Sequence, residues 1–506
     1  MRKVAICLLI IPIFCGAQDA AVRWGRSVQM QKKSSLPRLA GFDGRYIYLL
    51  RHQSSGILNP SFPLLEQYNA GTLERMSSTP IMLPLIQSHE AKYLSLLYAD
   101  KRLWLFSTLY RKEQGRISAY ATELGPSGRK MQKPIQLFER NGVKLKNKGY
   151  FELIPSADSS NFLLYYNLPY HRDSTEQMIC TVFNDTFSRI ASMAVNLPHQ
   201  DEDCSILQIL LAKDGKVAML VQVKKMNDIS SYTVVIVDLK KGRSREIDIN
   251  PTGCRAEQVR IRLASGSELL VAGFCSEGNS FREGINAAFY AIIDMDSSKI
   301  KNSCVAAFSK EDMLKFLTRK QVEKGHKLED IHLRNIFARR SSGVIITGEE
   351  QYYRQTCVTD PRTGLLDCSD NYYYNDIIAL EMDSSGSIRW LHRIPKRQYS
   401  GDEKPLFASF IAGMSGDDLY IVFNDDPRNL NTGEDERPKI VSNPQRSMAI
   451  LAHLYRDGSA EKRPLFGSNA HSLLIFPKAS YPISDDLYIL YSDNRRMSSI
   501  GRLEFH

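Results

Sequence analysis

Short runs of apolar and β-branched residues return along this chain at wide, fairly even intervals. They are Tyr46–Leu50, Leu103–Phe106, Phe162–Tyr166, Val217–Val221, Leu269–Ala272, Val344–Ile346, Leu419–Val422 and Leu487–Leu490. A turn such as Asp43-Gly44, Asp214-Gly215, Ser265-Gly266 or Asp417-Asp418 usually precedes the run. A second apolar run then ends in another tight turn, as in Val234–Asp238 before Lys241-Gly242, Ile377–Asp383 before Ser385-Gly386 and Leu451–Leu454 before Asp457-Gly458. Runs this short, rich in β-branched and aromatic residues and bounded by Gly, Asp and Ser, read as strands. Four strands per unit at a spacing of roughly 50 to 75 residues is how the blade of a radially repeated fold reads. A two-sheet sandwich needs fewer strands, and a tandem array of small domains needs linkers that are not seen. The expectation is an all-β chain forming a single β-propeller of about eight four-stranded blades, or seven if one centre belongs to an insertion.

The two ends of the chain complement each other. The last unit, Leu473 to Phe505, supplies about three strands where a blade needs four. Arg23-Trp24-Gly25-Arg26-Ser27-Val28 resembles Arg389-Trp390-Leu391-His392-Arg393-Ile394, which occupies a fourth-strand position. The segment Val22–Met30 is therefore expected to complete the C-terminal blade, which would remove two open sheet edges.

The first residues read as a secretory leader. Arg2 and Lys3 give a basic start, Val4–Phe14 is apolar but too short to span a bilayer as a helix, and Cys15-Gly16-Ala17 offers small residues for cleavage before Gln18. This divides the chain into a signal peptide, 1–17, and a propeller domain, 18–506, with export to the periplasm or outer membrane, or beyond it. No later stretch is apolar and long enough for a membrane helix. The formal charge of +10 is spread over doublets such as Lys224-Lys225, Lys240-Lys241, Arg339-Arg340 and Lys396-Arg397, which read as solvated strand edges. Without a recognition module, such doublets do not make a nucleic-acid binder.

Nine cysteines are present. Loss of Cys7 and Cys15 with the leader leaves an odd number, so at least one is unpaired. Cys357 and Cys368 flank Asp360-Pro361-Arg362-Thr363-Gly364, a strong turn sequence, and are placed to staple a hairpin. Cys254 and Cys275 bracket two expected antiparallel strands and form a second candidate bridge. No Cys/His spacing makes a zinc site. Cys180, Cys204 and Cys304 have no evident partner.

Two segments depart from the repeat. Ser309-Lys310-Glu311-Asp312, followed by Met313, Leu314, Phe316 and Leu317, predicts a capped helix near 310–324, expected to decorate a rim. Between Glu350 and Asp376 a unit grows by about twenty residues, longer than ordinary connections. This β-hairpin insertion near 350–376 carries Tyr352, Tyr353, Tyr372, Tyr373 and Tyr374. Tyrosine offers large contact area at low entropic cost with a hydroxyl for orientation, which suits a protein or glycan partner. Alternating directions put Tyr372 and Tyr374 on one face and Tyr373 on the other.

Gly348–Tyr353, Tyr372–Ile378, Gly386–Trp390, Ile394–Gln398, Asn424–Leu430 and Pro464-Leu465-Phe466 together resemble blocks of a largely uncharacterised family of secreted β-propeller proteins of Bacteroidota. The resemblance covers the C-terminal third, Gly348 to Phe505. It implies an exported propeller and carries no established activity or catalytic residue. The absence of the extra C-terminal sorting domain found in many exported relatives points to the periplasm or outer membrane.

No GxSxG elbow, HExxH helix, P-loop or GxGxxG turn occurs. Gly413-Met414-Ser415-Gly416 reads as a plain loop. The acidic clusters Asp201-Glu202-Asp203 and Asp425-Asp426, and the loop to Glu436 with Asn429, Asn431 and Asp435, read as solvated turns rather than catalytic pairs or a calcium site. No catalytic residue, metal or cofactor is assigned. The expected function is a non-catalytic binding or scaffold propeller at the cell envelope, for a protein or glycan. The alternative is a carbohydrate-active hydrolase or lyase with acids converging at the propeller channel.

Overall fold

The computed structural model describes residues 19–506 apart from 30–33, 54–61, 100, 126–127, 130, 225–229, 279–283, 340–342, 360–361, 402–404, 467–473 and 494–496. The leader 1–17, Lys225, Arg340, Asp360-Pro361 and Leu473 lie outside the described residues.

Eight antiparallel sheets of four or five strands follow one another along the chain, with one extra two-stranded ribbon. Their first strands are Arg38–Phe42, Lys92–Ala99, Tyr150–Pro155, Cys204–Leu211, Cys254–Leu263, Ile331–Ala338, Phe410–Ser415 and Tyr481–Pro482, which number blades 1 to 8. The second strands are Tyr46–Gln53, Arg102–Arg111, Asn161–Asn167, Val217–Lys224, Glu268–Glu277, Val344–Thr359, Asp418–Asp425 and Leu487–Asp493. Each contains one of the eight apolar runs. The blade count is eight, and no centre belongs to an insertion.

The second strands read as continuous apolar runs because both of their faces are buried. In blade 1, Ile47 and Leu49 join Ile489 and Tyr491 of blade 8. Tyr48 and Leu50, between them, join Leu103 and Leu105 of blade 2. The same alternation links blades 2 and 3, 3 and 4, 4 and 5, 5 and 6, 6 and 7, and 7 and 8. Eight apolar clusters therefore join eight sheets in a closed ring. Each fully buried Leu, Ile or Phe in them contributes about 1.5–3 kcal/mol.

Closure is made by the N-terminal strand, Ala20–Trp24, which lies antiparallel to Met497–Phe505, with Val22 opposite Leu503 and Trp24 opposite Gly501. Gly25 N–H donates to Ile500 O at 2.9 Å, and Val28 continues the pairing opposite Ser498. The Trp24 indole rests on Gly501, where an added Cβ would stand 2.7 Å from the ring, and meets Phe466 edge-on at 6.1 Å.

The first strands of blades 1 to 6 touch one after another, so the first strands line the central channel. Bulges in blades 4 and 5 turn Gln208 and Gln258 sideways, where their amides bridge to the next blade. Gln208 Nε2 donates to Ile261 O at 2.7 Å, and Ile261 N–H returns to Gln208 Oε1 at 3.1 Å. Gln258 bridges Ile331 and Leu333 in the same manner. Arg262 of blade 5 reaches Asp485, just before the second strand of blade 8, and ties the two sides of the channel together.

The expected helix is two one-turn helices, Lys310–Leu314 and Arg319–Glu323. Each has its own capping box, Ser309 with Asp312 and Thr318 with Gln321, and the second cap interrupts the first helix. Met313, Leu317 and Phe316 anchor the pair on the cluster between blades 5 and 6. Among the described residues, no helix is long and apolar enough to cross a membrane.

Candidate functional site

The insertion is a hairpin built from the second and third strands of blade 6, Val344–Thr359 and Leu366–Met382. It splits at a bulge. Glu349 pairs with Ile377 and Gln351 with Tyr374, leaving Glu350 opposite Asn375 and Asp376. Below the bulge the strands belong to the blade. Above it, the blade's first strand has ended and the hairpin projects, supported on one edge by Gln398–Ser400 against Tyr372–Tyr374. Cys357 and Cys368 stand opposite each other and are bridged, with Cα atoms 4.0 Å apart. The end beyond them exposes Val358, Leu365 and Leu366.

The tyrosines divide between faces and depths. Tyr352 and Tyr373 stack at 4.7 Å, the stack runs on to Tyr399 at 5.5 Å, and Arg354 lies over Tyr352. Tyr353 and Tyr372 pair on the opposite face at 5.1 Å, with the Tyr353 hydroxyl donating to Asp370 at 2.6 Å. Tyr353 stays 49 % exposed, whereas Tyr374 is 3 % exposed and sits in the hairpin's base. The two strands thus hold four tyrosines as cross-strand pairs and commit the fifth to the interior.

A cleft opens where the hairpin leaves the blade. Two adjoining cavities of about 510 Å³ each share Phe316, Leu317, Glu350, Tyr352 and Asp376 as walls. The helical pair, expected to be a rim decoration, is therefore one wall of this cleft. Burial, with Asp376 and Asp330 nearby, pushes the Glu350 carboxyl above its ordinary range. Asp376 instead accepts from Arg393 Nε at 2.7 Å and Lys396 N at 3.1 Å. Asn375 Nδ2 donates to the Tyr352 hydroxyl at 3.3 Å, and its shielded Oδ1 has no partner among the described residues.

Beneath the cleft lies an ionic network. Lys396 and Glu349 are wholly buried and joined at 2.8 Å. Lys396 Nζ also donates to Tyr374 O at 2.8 Å and Gln398 Oε1 at 3.1 Å. Glu349 accepts further from Arg334 Nη2 at 2.6 Å and Ser409 Oγ at 2.8 Å. Burial alone would raise its affinity for a proton, but these cations outweigh it and hold the carboxyl below its ordinary range. This corrects the reading of Lys396-Arg397 as a solvated doublet. Arg339 is likewise buried, on Glu381 at 2.6 Å. Lys396 and Arg339 both lie just past a strand end, where each turns inward onto a carboxylate.

The acidic turns are mostly engaged within the protein. Asn429 donates to Asp425 Oδ1 at 2.8 Å and to Lys439 O at 2.8 Å, and Lys462 Nζ donates to Thr432 O at 2.7 Å. Burial pushes the Asp425 carboxyl up to about 6. Asn431 and Asp435 are exposed. Asp201 lies beside Glu176, whose carboxyl burial and that neighbour push up to about 8. Asp19, His453 and Glu461 bring ligand atoms within 4.8 Å of one another, but Arg463 already holds Asp19 at 2.7 Å. Gly413–Ser415 is plain inner strand of blade 7. Both expected disulfides form, the second between Cys254 and Cys275 with Cα atoms 6.0 Å apart, and Cys180, Cys204 and Cys304 are free thiols.

No family model and no curated protein matches the chain. Among solved structures it is similar to the WD40 domain of SCAP from fission yeast, at 8 % identity, covering 97 % of this chain and 99 % of that one with a TM-score of 0.39. It is also similar to the β-propeller domain of the Trilobed protease from Pyrococcus furiosus, at 11 % identity over 86 % and 97 % with a TM-score of 0.36. The Synechocystis apocarotenoid oxygenase gives 8 % identity over 89 % and 94 % with a TM-score of 0.35. The propeller assignment rests on the eight closed sheets rather than on these likenesses.

Proposed function

We propose that the chain is an exported, non-catalytic binding propeller of the cell envelope that takes a protein or glycan partner on the blade 6 hairpin. The observation that carries this reading is the hairpin's construction. It projects past the end of its blade, is pinned by Cys357–Cys368, and presents Tyr353 with Val358, Leu365 and Leu366 to solvent. A rigid projecting surface loses little entropy on binding, and aromatic anchors on a fixed scaffold are a common form of recognition. The cleft at its base adds polar groups with unmet hydrogen-bonding capacity.

The test is a pull-down from envelope extract, with wild type and with Tyr352/Tyr373 or Tyr353/Tyr372 changed to Ser. Loss of a partner from either folded variant is expected, and equal recovery by both would overturn the reading. Export rests on the leader-like start. Intact mass of the native protein should begin at Gln18, and a mass retaining Met1 would refute it.

One observation favours a hydrolase or lyase, and it lies in the lateral cleft rather than the channel. Burial raises the Glu350 carboxyl above its ordinary range beside Asp376, which is paired with Arg393 at 2.7 Å, and two carboxyl groups in such different surroundings suit an acid and a carboxylate serving one reaction. Glycan turnover abolished by Glu350→Gln, with binding retained, would establish that reading. No turnover across a panel of envelope and plant glycans would remove it.

A further inference from the structure

The eight innermost strands carry six Arg or Lys residues against two carboxylates. Two of those cations are neutralised in the wall, Arg255 by Glu257 at 2.5 Å and Arg262 by Asp485. Arg260 of blade 5 is exposed to the channel, and the hydrogen bond it makes is a long one, 3.5 Å to Leu333 O. Arg334 of blade 6 binds Glu349, but that carboxylate is already matched by Lys396. Lys478, in the turn leading to the first strand of blade 8, brings a third cation to the same corner. Its Nζ is 2.6 Å from the Tyr374 hydroxyl and 3.9 Å from the ring centre, and it has no ion-pair partner among the described residues.

Hydrogen-bond accounting gives a second, independent indication. The Tyr374 hydroxyl accepts from Lys478 and, at 3.4 Å, from Gln351 Nε2. Both bonds are accepted ones, so its own proton has no acceptor among the described residues, although the residue is 3 % exposed. An ammonium has three donors and a guanidinium five, so Lys478 and Arg334 hold donors to spare. Glu349 and Gln351, the nearby acceptors, are already engaged. Burial, reinforced by Arg334 and Lys396, pushes the Lys478 ammonium down to about 8 against the pull of Glu349, and burial with Arg334 lowers Arg260. These cations thus lie within electrostatic reach of one another, and an anion among them would relieve the repulsion.

We propose that the channel corner between blades 5, 6 and 8 binds the oxyanion group of an acidic ligand. Lys478 and the Tyr374 hydroxyl donate to it directly, Arg334 offers its free guanidinium edge, and Arg260 supplies positive field from the neighbouring blade. The chemistry required is a carboxylate, sulfate or phosphate group, since charge-assisted N–H and O–H donors recognise all three. The low-dielectric wall of the channel focuses its positive potential on that point. The site is separate from the hairpin surface, and neither depends on the other.

Calorimetric titration of the full chain at low ionic strength tests it, with inorganic phosphate, inorganic sulfate and an oligogalacturonate as separate probes. Wild type should bind at least one, and which one identifies the oxyanion's source. Lys478→Gln and Tyr374→Phe should each weaken binding about tenfold, the usual cost of losing one charge-assisted contact, and Arg260→Gln should weaken it several-fold by removing a nearby positive charge. Arg397→Gln, in the lateral cleft, should leave it unchanged. Melting curves identify any variant that fails to fold, and Lys478→Gln or Arg260→Gln, at positions outside the apolar clusters, keeps the test decisive if Tyr374→Phe does. No binding of any probe at millimolar concentration would overturn the proposal, as would wild-type affinity in folded Lys478→Gln and Arg260→Gln.

Discussion

The closing strand can be tested through one contact. Gly501 lies directly under Trp24, and a Cβ there would come 2.7, 2.9 and 3.0 Å from three ring carbons. Gly501 is not among the positive-φ glycines, so its backbone accepts alanine and the obstacle is the indole alone. Gly501→Ala should therefore force Trp24 off its seat and cost about 1–3 kcal/mol, as overpacking does. Trp24→Ala should cost about 2–3 kcal/mol, less than the 3–5 kcal/mol of a fully buried aromatic because the indole is only half-buried. In the double variant the obstacle is gone. Adding Gly501→Ala to Trp24→Ala should then be neutral or gain about 0.5–1 kcal/mol, because alanine is favoured over glycine within a strand. The cost of one substitution vanishes or reverses with the other, an interaction of about 1–4 kcal/mol between residues distant in sequence. Urea denaturation of the four proteins reads the cycle directly. If Gly501→Ala costs the same in both backgrounds, Trp24 does not cover Gly501, and the account of ring closure fails with it.

Asp425 is expected to make stability fall with rising pH. Its folded-state pKa of about 6 lies above the ordinary 3.8, so the native state binds the extra proton; its contribution is present below pH 4 and lost as pH rises through 6. Relative to Asp425→Asn, wild type should lose roughly 1.5–3 kcal/mol across that window, and parallel pH–stability profiles would refute this. Lys396→Met should cost about 3–5 kcal/mol, because it leaves Glu349 buried with one cation fewer. A loss below about 1 kcal/mol would mean that Arg334 alone neutralises Glu349. Replacing Cys357 and Cys368 by Ser should leave the main unfolding transition within about 1 kcal/mol of wild type while making the hairpin susceptible to proteolysis, because the projecting end opens locally. Unchanged protease resistance would show that the tyrosine pairs suffice.

The architecture was legible because a blade's second strand is buried on both faces and leaves no polar position to break the apolar run. Tyr46–Leu50 and Leu487–Leu490 could be read without knowing what covers them. The N-terminal strand was legible from Trp24, since a large aromatic between arginines marks an outer strand with one buried face, as around Trp390. The helical segment was only half legible. Its cap at Ser309 was clear, but Thr318-Arg319-Lys320-Gln321 forms a second capping box inside the same apolar pattern, and periodicity cannot show that the first helix has already ended.

The polar sites were illegible for a physical reason that bears on function. Glu349 and Glu350 are neighbours in sequence, yet strand alternation sends one into a wholly buried ion pair and the bulge turns the other into the cleft. Lys396 and Arg397, just past a strand end, also differ, the first wholly buried and the second only partly. A run of like charges on a strand therefore says nothing until the register against its neighbours is known, because alternate positions meet different surroundings. The channel corner goes one step further. Arg260 comes from blade 5, Arg334 and Tyr374 from blade 6 and Lys478 from the approach to blade 8, and Lys478 joins the others only because the ring closes. Closure by Ala20–Trp24 fixes blade 8 and with it the turn that carries Lys478. The donor-rich corner is thus a property of the closed propeller, and loosening the Trp24 strand should weaken anion binding even though that strand contributes no ligand.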